Sequence, residues 1–114
     1  MENKIIYHIT TIKQWNDFTD KDYFEVPSWQ LEGFIHASTA KQLNATANRY
    51  YKNESEIIVL TIDAEMVKDK LKYEFSTSVN EYFPHLYGVI EKREILKIEI
   101  VKKPVHQLFQ IIHE

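Results

Sequence analysis

Three histidines stand where an apolar residue would be the default: His8 in Tyr7-His8-Ile9-Thr10, His36 in Phe34-Ile35-His36-Ala37-Ser38, and His85 in Pro84-His85-Leu86-Tyr87. Imidazole carries a donor and an acceptor at neutral pH, so each ring on a sheet destabilises the fold unless it finds a partner. Any one of them alone reads as a satisfied structural histidine. Together they fit two chemistries. One is a metal site with three imidazole ligands and water in the fourth position, as at a catalytic zinc, although spacings of 28 and 49 residues match no local ligand signature. The other is an anion or nucleotide site. There the rings hydrogen-bond ribose hydroxyls and phosphates, and Tyr87, Trp29 or Tyr50 supplies a face for a base or nicotinamide. The second reading uses more of the sequence.

Other polar groups extend that site. Glu74 follows Tyr73 on a predicted half-buried strand, where a carboxylate could orient a ribose hydroxyl, act as a base or stabilise a glycosyl oxocarbenium. The competing reading turns Tyr73 and Phe75 inward and leaves Glu74 in solvent. Ser38 and Thr39 read as the N-cap of a following helix, whose free amides would also cradle a phosphate. Arg49, with Asn48, could pair with that phosphate or simply face water. Packing alone would account for Trp29, Tyr50 and Tyr51. His106 and His113 are assigned no chemistry. P-loop, GxGxxG, GxSxG, HExxH and EF-hand signatures do not occur.

These groups need elements to hold them. Residues 4–9 (KIIYHI) are β-branched and aromatic, which predicts a first strand, and Thr11 with Gln14 forms a capping-box pattern opening a short helix to Phe18. Residues 20–32 read as an irregular loop pinned by Tyr23, Phe24 and Trp29. Residues 33–38 predict a short strand, and Thr39 with Gln42 repeats the box. The helix starting there puts Leu43, Ala47 and Tyr50 on one face and Asn44, Asn48 and Lys52 on the other. Residues 57–62 are almost continuously apolar, as in a strand buried on both faces. Residues 71–75 and 95–100 alternate with period two, as half-buried strands do. Five or six strands and two main helices give an α+β fold with a compact, twisted, largely antiparallel sheet.

Composition bounds the function. The 114 residues make one domain, 1–114, with 14 Lys and Arg against 17 Asp and Glu and no cysteine. A disulfide scaffold, a thiol nucleophile and a Cys-ligated zinc are excluded. A net charge of -3 lacks the basic footprint of a nucleic-acid binder. No apolar run approaches the roughly 18 residues of a membrane helix, and residues 1–10 lack a signal peptide's pattern, so a cytoplasmic location is expected.

Ile6-Tyr7-His8-Ile9-Thr10, Gly33-Phe34-Ile35-His36-Ala37-Ser38-Thr39, Ala47-Asn48-Arg49-Tyr50-Tyr51, Tyr73-Glu74 and Phe83-Pro84-His85-Leu86-Tyr87-Gly88 together resemble the uncharacterised bacterial family DUF952, in order and over roughly residues 5–100. The resemblance implies an ADP-ribosyltransferase-like fold, a split sheet gripping NAD in its cleft. In such transferases a first-strand His or Arg holds the adenosine ribose, which His8 matches. A small polar residue stands before a helix, which Ser38 matches with His36 beside it. A late Glu-x-Glu has no counterpart here, and Glu74 is the nearest acid. Ser76-Thr77-Ser78 imitates a motif of toxin-type transferases in a poorly matched connection and is read as chance. The expectation is a cleft binding NAD or a related ADP-ribose nucleotide without metal. His8, His36, Ser38 and Tyr87 would contact the ligand, with Glu74 and His85 as the catalytic pair of a glycosyl or ADP-ribosyl transferase or hydrolase. A non-catalytic binding module and a three-histidine metal enzyme remain as alternatives.

Overall fold

The computed structural model describes residues 5–104 and 106–111. Lys4, expected in the first strand, and His113 lie outside them. In order the chain forms β1 (Ile5–Thr10), α1 (Ile12–Asn16), β2 (Tyr23–Phe24), α2 (Pro27–Glu32), β3 (Ile35–His36) and α3 (Leu43–Tyr50). Then come β4 (Glu56–Asp63), β5 (Leu71–Ser76), β6 (Glu81–Leu86), β7 (Ile90–Glu91), a 3-10 turn (Lys92–Glu94) and β8 (Ile95–Lys102). This is an α+β fold in which every strand pairing is antiparallel. The described residues hold three α-helices rather than two, and eight strands, because residues 20–32 contain β2 and α2 where a loop was expected. Phe24 nucleates that region: it is fully buried, with Trp15 and Phe18 packed on it at 5.1 and 5.5 Å.

The apolar run of β4 does what its composition predicts. β4 lies between β1 and β8, and its even residues Ile58, Leu60 and Ile62 join Ile6, Ile35 and Leu86 in one buried cluster. Its odd residues Ile57 and Val59 join Tyr7, Ile9, Leu43 and Ala47 in another. A second three-stranded sheet, β3-β6-β5, stands beside the first. One bridge joins the halves, Tyr7 and Ser38 exchanging N–H···O bonds of 2.8 and 2.7 Å. The result is a split sheet with His8 one residue beyond the seam.

Local patterns misplace four features. α3 begins at Leu43, not Thr39, because the Thr39 amide is bound by the Gln42 side chain in a preceding turn. Tyr50 is exposed, while Leu43 and Ala47 are buried as expected. Asn44 and Asn48 do not face water. Each amide clasps one residue of the C-terminal segment: Asn48 bonds the N–H and C=O of Phe109 at 2.6 and 3.1 Å, and Asn44 does the same to Ile111. On β5 neither face is buried, Lys72 being exposed as well as Tyr73 and Phe75. Tyr73 and Phe75 are about half exposed, and Glu74 faces the neighbouring strand.

Candidate functional site

A cleft of about 820 Å³ opens along the seam between the two sheets. His8, His36, Ser38 and His85 all line it, brought together from β1, β3, the connection after β3, and β6. Glu74 and Tyr87 do not line it, nor do Trp29 and Arg49. Tyr50 and Tyr51 do, and so does Ser76-Thr77-Ser78, which sequence reasoning set aside as chance. The β5–β6 turn carries those hydroxyls to the wall, a placement that no local pattern encodes.

The histidines differ in what their nitrogens meet. His8 Nδ1 lies 2.6 Å from the His36 carbonyl oxygen, which only accepts, so Nδ1 carries the proton and donates. Burial lowers the His8 pKa to about 4, the nearby His36 ring adds to the effect and the carbonyl bond opposes it. The ring is therefore neutral at pH 7, with a lone pair on Nε2. That Nε2 is buried and has no hydrogen-bond partner, and the only other such side-chain atom among the described residues is Ser28 Oγ. Both residues line the cleft. A buried polar atom without a partner costs about 1–3 kcal/mol, which a ligand or water reaching it would recover. Ser28 was not singled out from sequence, because a serine in a stretch that reads as a loop looks ordinary; only its buried, unpartnered hydroxyl marks it.

His85 pairs with His36 in the β3–β6 register and stacks on Phe34, ring centroids 4.1 Å apart at 17°. Its Nδ1 is 2.7 Å from Glu74 Oε1, and Tyr87 donates its hydroxyl to the same oxygen at 2.5 Å. These bonds, the Tyr87 hydroxyl first and then His85, hold the Glu74 pKa below its ordinary value, and Glu74 in turn raises that of Tyr87. Glu74 thus orients His85 from behind, leaving Nε2 as the nitrogen without a protein partner. The face of Tyr87 already carries the Lys72 ammonium, 5.3 Å from the ring centroid. His36 uses Nε2 on Glu32 at 2.8 Å.

The second nitrogen of each ring would still be available to a metal, since ligating histidines commonly bond a carbonyl or carboxylate through the other, but the rings are not placed as one ligand set. Among the described residues no group of three or more His, Asp or Glu is placed to hold a metal ion. The expected phosphate cradle is also absent there. The Ala37, Ser38 and Thr39 amides are engaged by Pro84 O, Tyr7 O and Gln42 Oε1. Ser38 Oγ donates to Thr46 Oγ1 at 3.2 Å. Asn48 is occupied by Phe109.

No helix of the described residues is long and apolar enough to cross a membrane. No functionally curated protein matches the chain. Three solved structures of protein CC0527 from Caulobacter crescentus do, each 26% identical and covering 93% of this chain. The crystal structure and that of a double mutant of the same protein superpose with a TM-score of 0.83 over 93% of that chain, and the solution NMR structure with 0.79 over 91%. Residues 9–98 match the family described as "Protein of unknown function (DUF952)". The match begins one residue after His8 and includes His36, Ser38 and the His85 strand, and the chain belongs to the DUF952 family.

Proposed function

We propose that the cleft binds the nucleoside portion of NAD or a related ADP-ribose nucleotide, on an ADP-ribosyltransferase-like split sheet. One observation carries the reading: the neutral, 5% exposed His8 ring, on a residue of the cleft wall, directs its proton to the His36 carbonyl and leaves Nε2 as a buried acceptor without a partner, which a ligand would have to reach by a small shift of the wall. A ribose hydroxyl is the donor of the right size and charge. Exposed rings beside it, Tyr50 and Phe75, offer faces for a base. Tyr87 supports the site through Glu74 rather than by stacking.

Where chemistry follows binding, His85 is the acid–base group and Glu74 its positioning residue. The glycosidic C–N bond breaks with its electron pair leaving on nicotinamide. The oxygen of water or an acceptor hydroxyl bonds to the ribose carbon, and its proton passes to His85 Nε2. Because Glu74 lies outside the cleft wall, it does not itself stabilise an oxocarbenium, which favours binding without catalysis as the second reading.

The test is a two-dimensional amide NMR titration of labelled protein with NAD and ADP-ribose, repeated on His8→Ala, with nicotinamide release assayed on the same samples. Saturable shifts at residues 8, 28, 36–38 and 85, lost in a folded His8→Ala protein, are expected. Absence of shifts at millimolar ligand refutes the nucleotide reading, and binding without nicotinamide release selects the non-catalytic one.

A further inference from the structure

We infer that the cleft is blind to phosphate: it seats an uncharged or cationic ribonucleoside, and the phosphates of any nucleotide it accepts stay in solvent. This rests on the nucleoside-binding reading above. The argument is a charge account of the cleft wall. Among the described residues that line it, none is Lys or Arg, and the one ionised side chain is the Glu32 carboxylate. A pyrophosphate brought there would meet no fixed positive charge, whereas sites built for phosphate combine Arg or Lys with free backbone amides.

The histidines do not replace those cations. His36 is bonded to Glu32 at 2.8 Å and His85 to Glu74 at 2.7 Å, so a charge on either ring is matched by a carboxylate already in contact. His8 presents a lone pair, which repels a phosphate oxygen and attracts a hydroxyl. Burial keeps it in that form. The backbone beside the histidines offers no substitute, since the Ala37, Ser38 and Thr39 amides are taken and Pro27 at the head of α2 has no N–H; the Ser28, Thr77 and Ser78 amides stand in the wall without a matching Lys or Arg.

What the wall does offer is neutral. Ser28 Oγ is buried and without a partner, and Thr46, Ser76, Thr77 and Ser78 add hydroxyls. An acceptor at His8 Nε2 and a hydroxyl that both donates and accepts at Ser28 suit sugar hydroxyls. Glu32 tolerates a cationic base such as a pyridinium and penalises an anion.

The experiment is calorimetric titration of the wild-type chain with adenosine, nicotinamide riboside, ADP-ribose, NAD and inorganic pyrophosphate, each at low and high salt. At least one nucleoside is expected to bind within about threefold of its nucleotide, with salt-insensitive affinity, and pyrophosphate is expected not to compete. Ser28→Ala should weaken nucleoside and nucleotide by the same factor, about fivefold for one lost hydrogen bond. A nucleotide binding tenfold or more tighter than its nucleoside, with affinity falling as salt rises, overturns this inference and leaves the nucleotide reading standing. If no nucleoside or nucleotide binds, both fail.

Discussion

The buried, neutral His8 makes the protein's stability depend on pH in a way that can be worked out in advance. In the folded chain its pKa is lowered to about 4 from an ordinary 6.5, chiefly because burial disfavours the imidazolium. Between those values the unfolded chain holds one more proton at this position than the folded chain. Stability therefore rises with pH across the window, is fully present above about pH 6.5, and is lost as pH falls toward 4. The gap of about 2.5 units, at about 1.4 kcal/mol per unit, makes this loss about 3 kcal/mol, a large share of the stability of a domain this size. The depressed Glu74 pKa acts in the same sense, its contribution present above the ordinary carboxylate value and lost below it. Measurements above about pH 5 keep the two apart.

The assay is urea denaturation of the wild-type chain and of His8→Phe from about pH 7.5 to about pH 5, with the imidazole carbon-bound protons followed by NMR in native protein. All other histidines are common to both chains and cancel in the difference. His8→Phe should be less stable at pH 7.5, since the bond to the His36 carbonyl is gone, yet should lose less stability on acidification. Convergence by about 2 kcal/mol at pH 5 is expected, most of the full linkage. Parallel pH profiles for the two proteins, or a His8 ring titrating near 6.5 while the chain stays folded, would refute the reasoning and remove the neutral acceptor on which the proposed ligand rests.

Two further outcomes test the packing around the site. Asn44→Ala orphans both the N–H and C=O of Ile111 and should cost about 1–3 kcal/mol in urea denaturation, with faster hydrogen exchange at the Ile111 amide. Glu94→Ala removes the counter-charge of the four-fifths buried Lys70 ammonium, 3.0 Å away, leaving it only the Val89 carbonyl, and also frees the Glu91 N–H, at a cost of about 3–5 kcal/mol; adding Lys70→Met should restore the part due to the unpaired charge.

The elements legible in the sequence are those whose cause is local. The apolar run of β4 needs no partner to announce a buried strand, and the Thr11 cap closes on Gln14 N three residues away, at 3.1 Å. What stayed hidden depends on distant chain. Asn44 and Asn48 carry the pattern of a solvent face, and only segments 67 and 61 residues later turn them into clasps. The period-two pattern of β5 identifies a strand but not whether a face is covered; neither is, and Tyr73 and Phe75 stay about half exposed while Glu74 bonds His85 of β6. Ser28 is invisible to any motif, because its meaning lies in a partner it lacks.

The three histidines show the same division at one site. In sequence they are alike, each beside apolar residues on a predicted strand or turn. In the fold, the partner of one nitrogen decides what the other can do. At His8, Nδ1 donates to a carbonyl inside a buried setting, which fixes a neutral ring with an acceptor lone pair. At His85 the same nitrogen meets a carboxylate, which fixes the tautomer and orientation while leaving Nε2 without a protein partner. His36 supplies the carbonyl to the first, its ring stands 5.3 Å from the second, and it spends its own Nε2 on Glu32. A buried acceptor and a ring nitrogen without a protein partner thus belong to two residues of one cleft wall, on different strands. In the proposed function that combination recognises a hydroxyl beside the bond to be broken, and it depends on the seam at Tyr7 and Ser38 joining the two sheets.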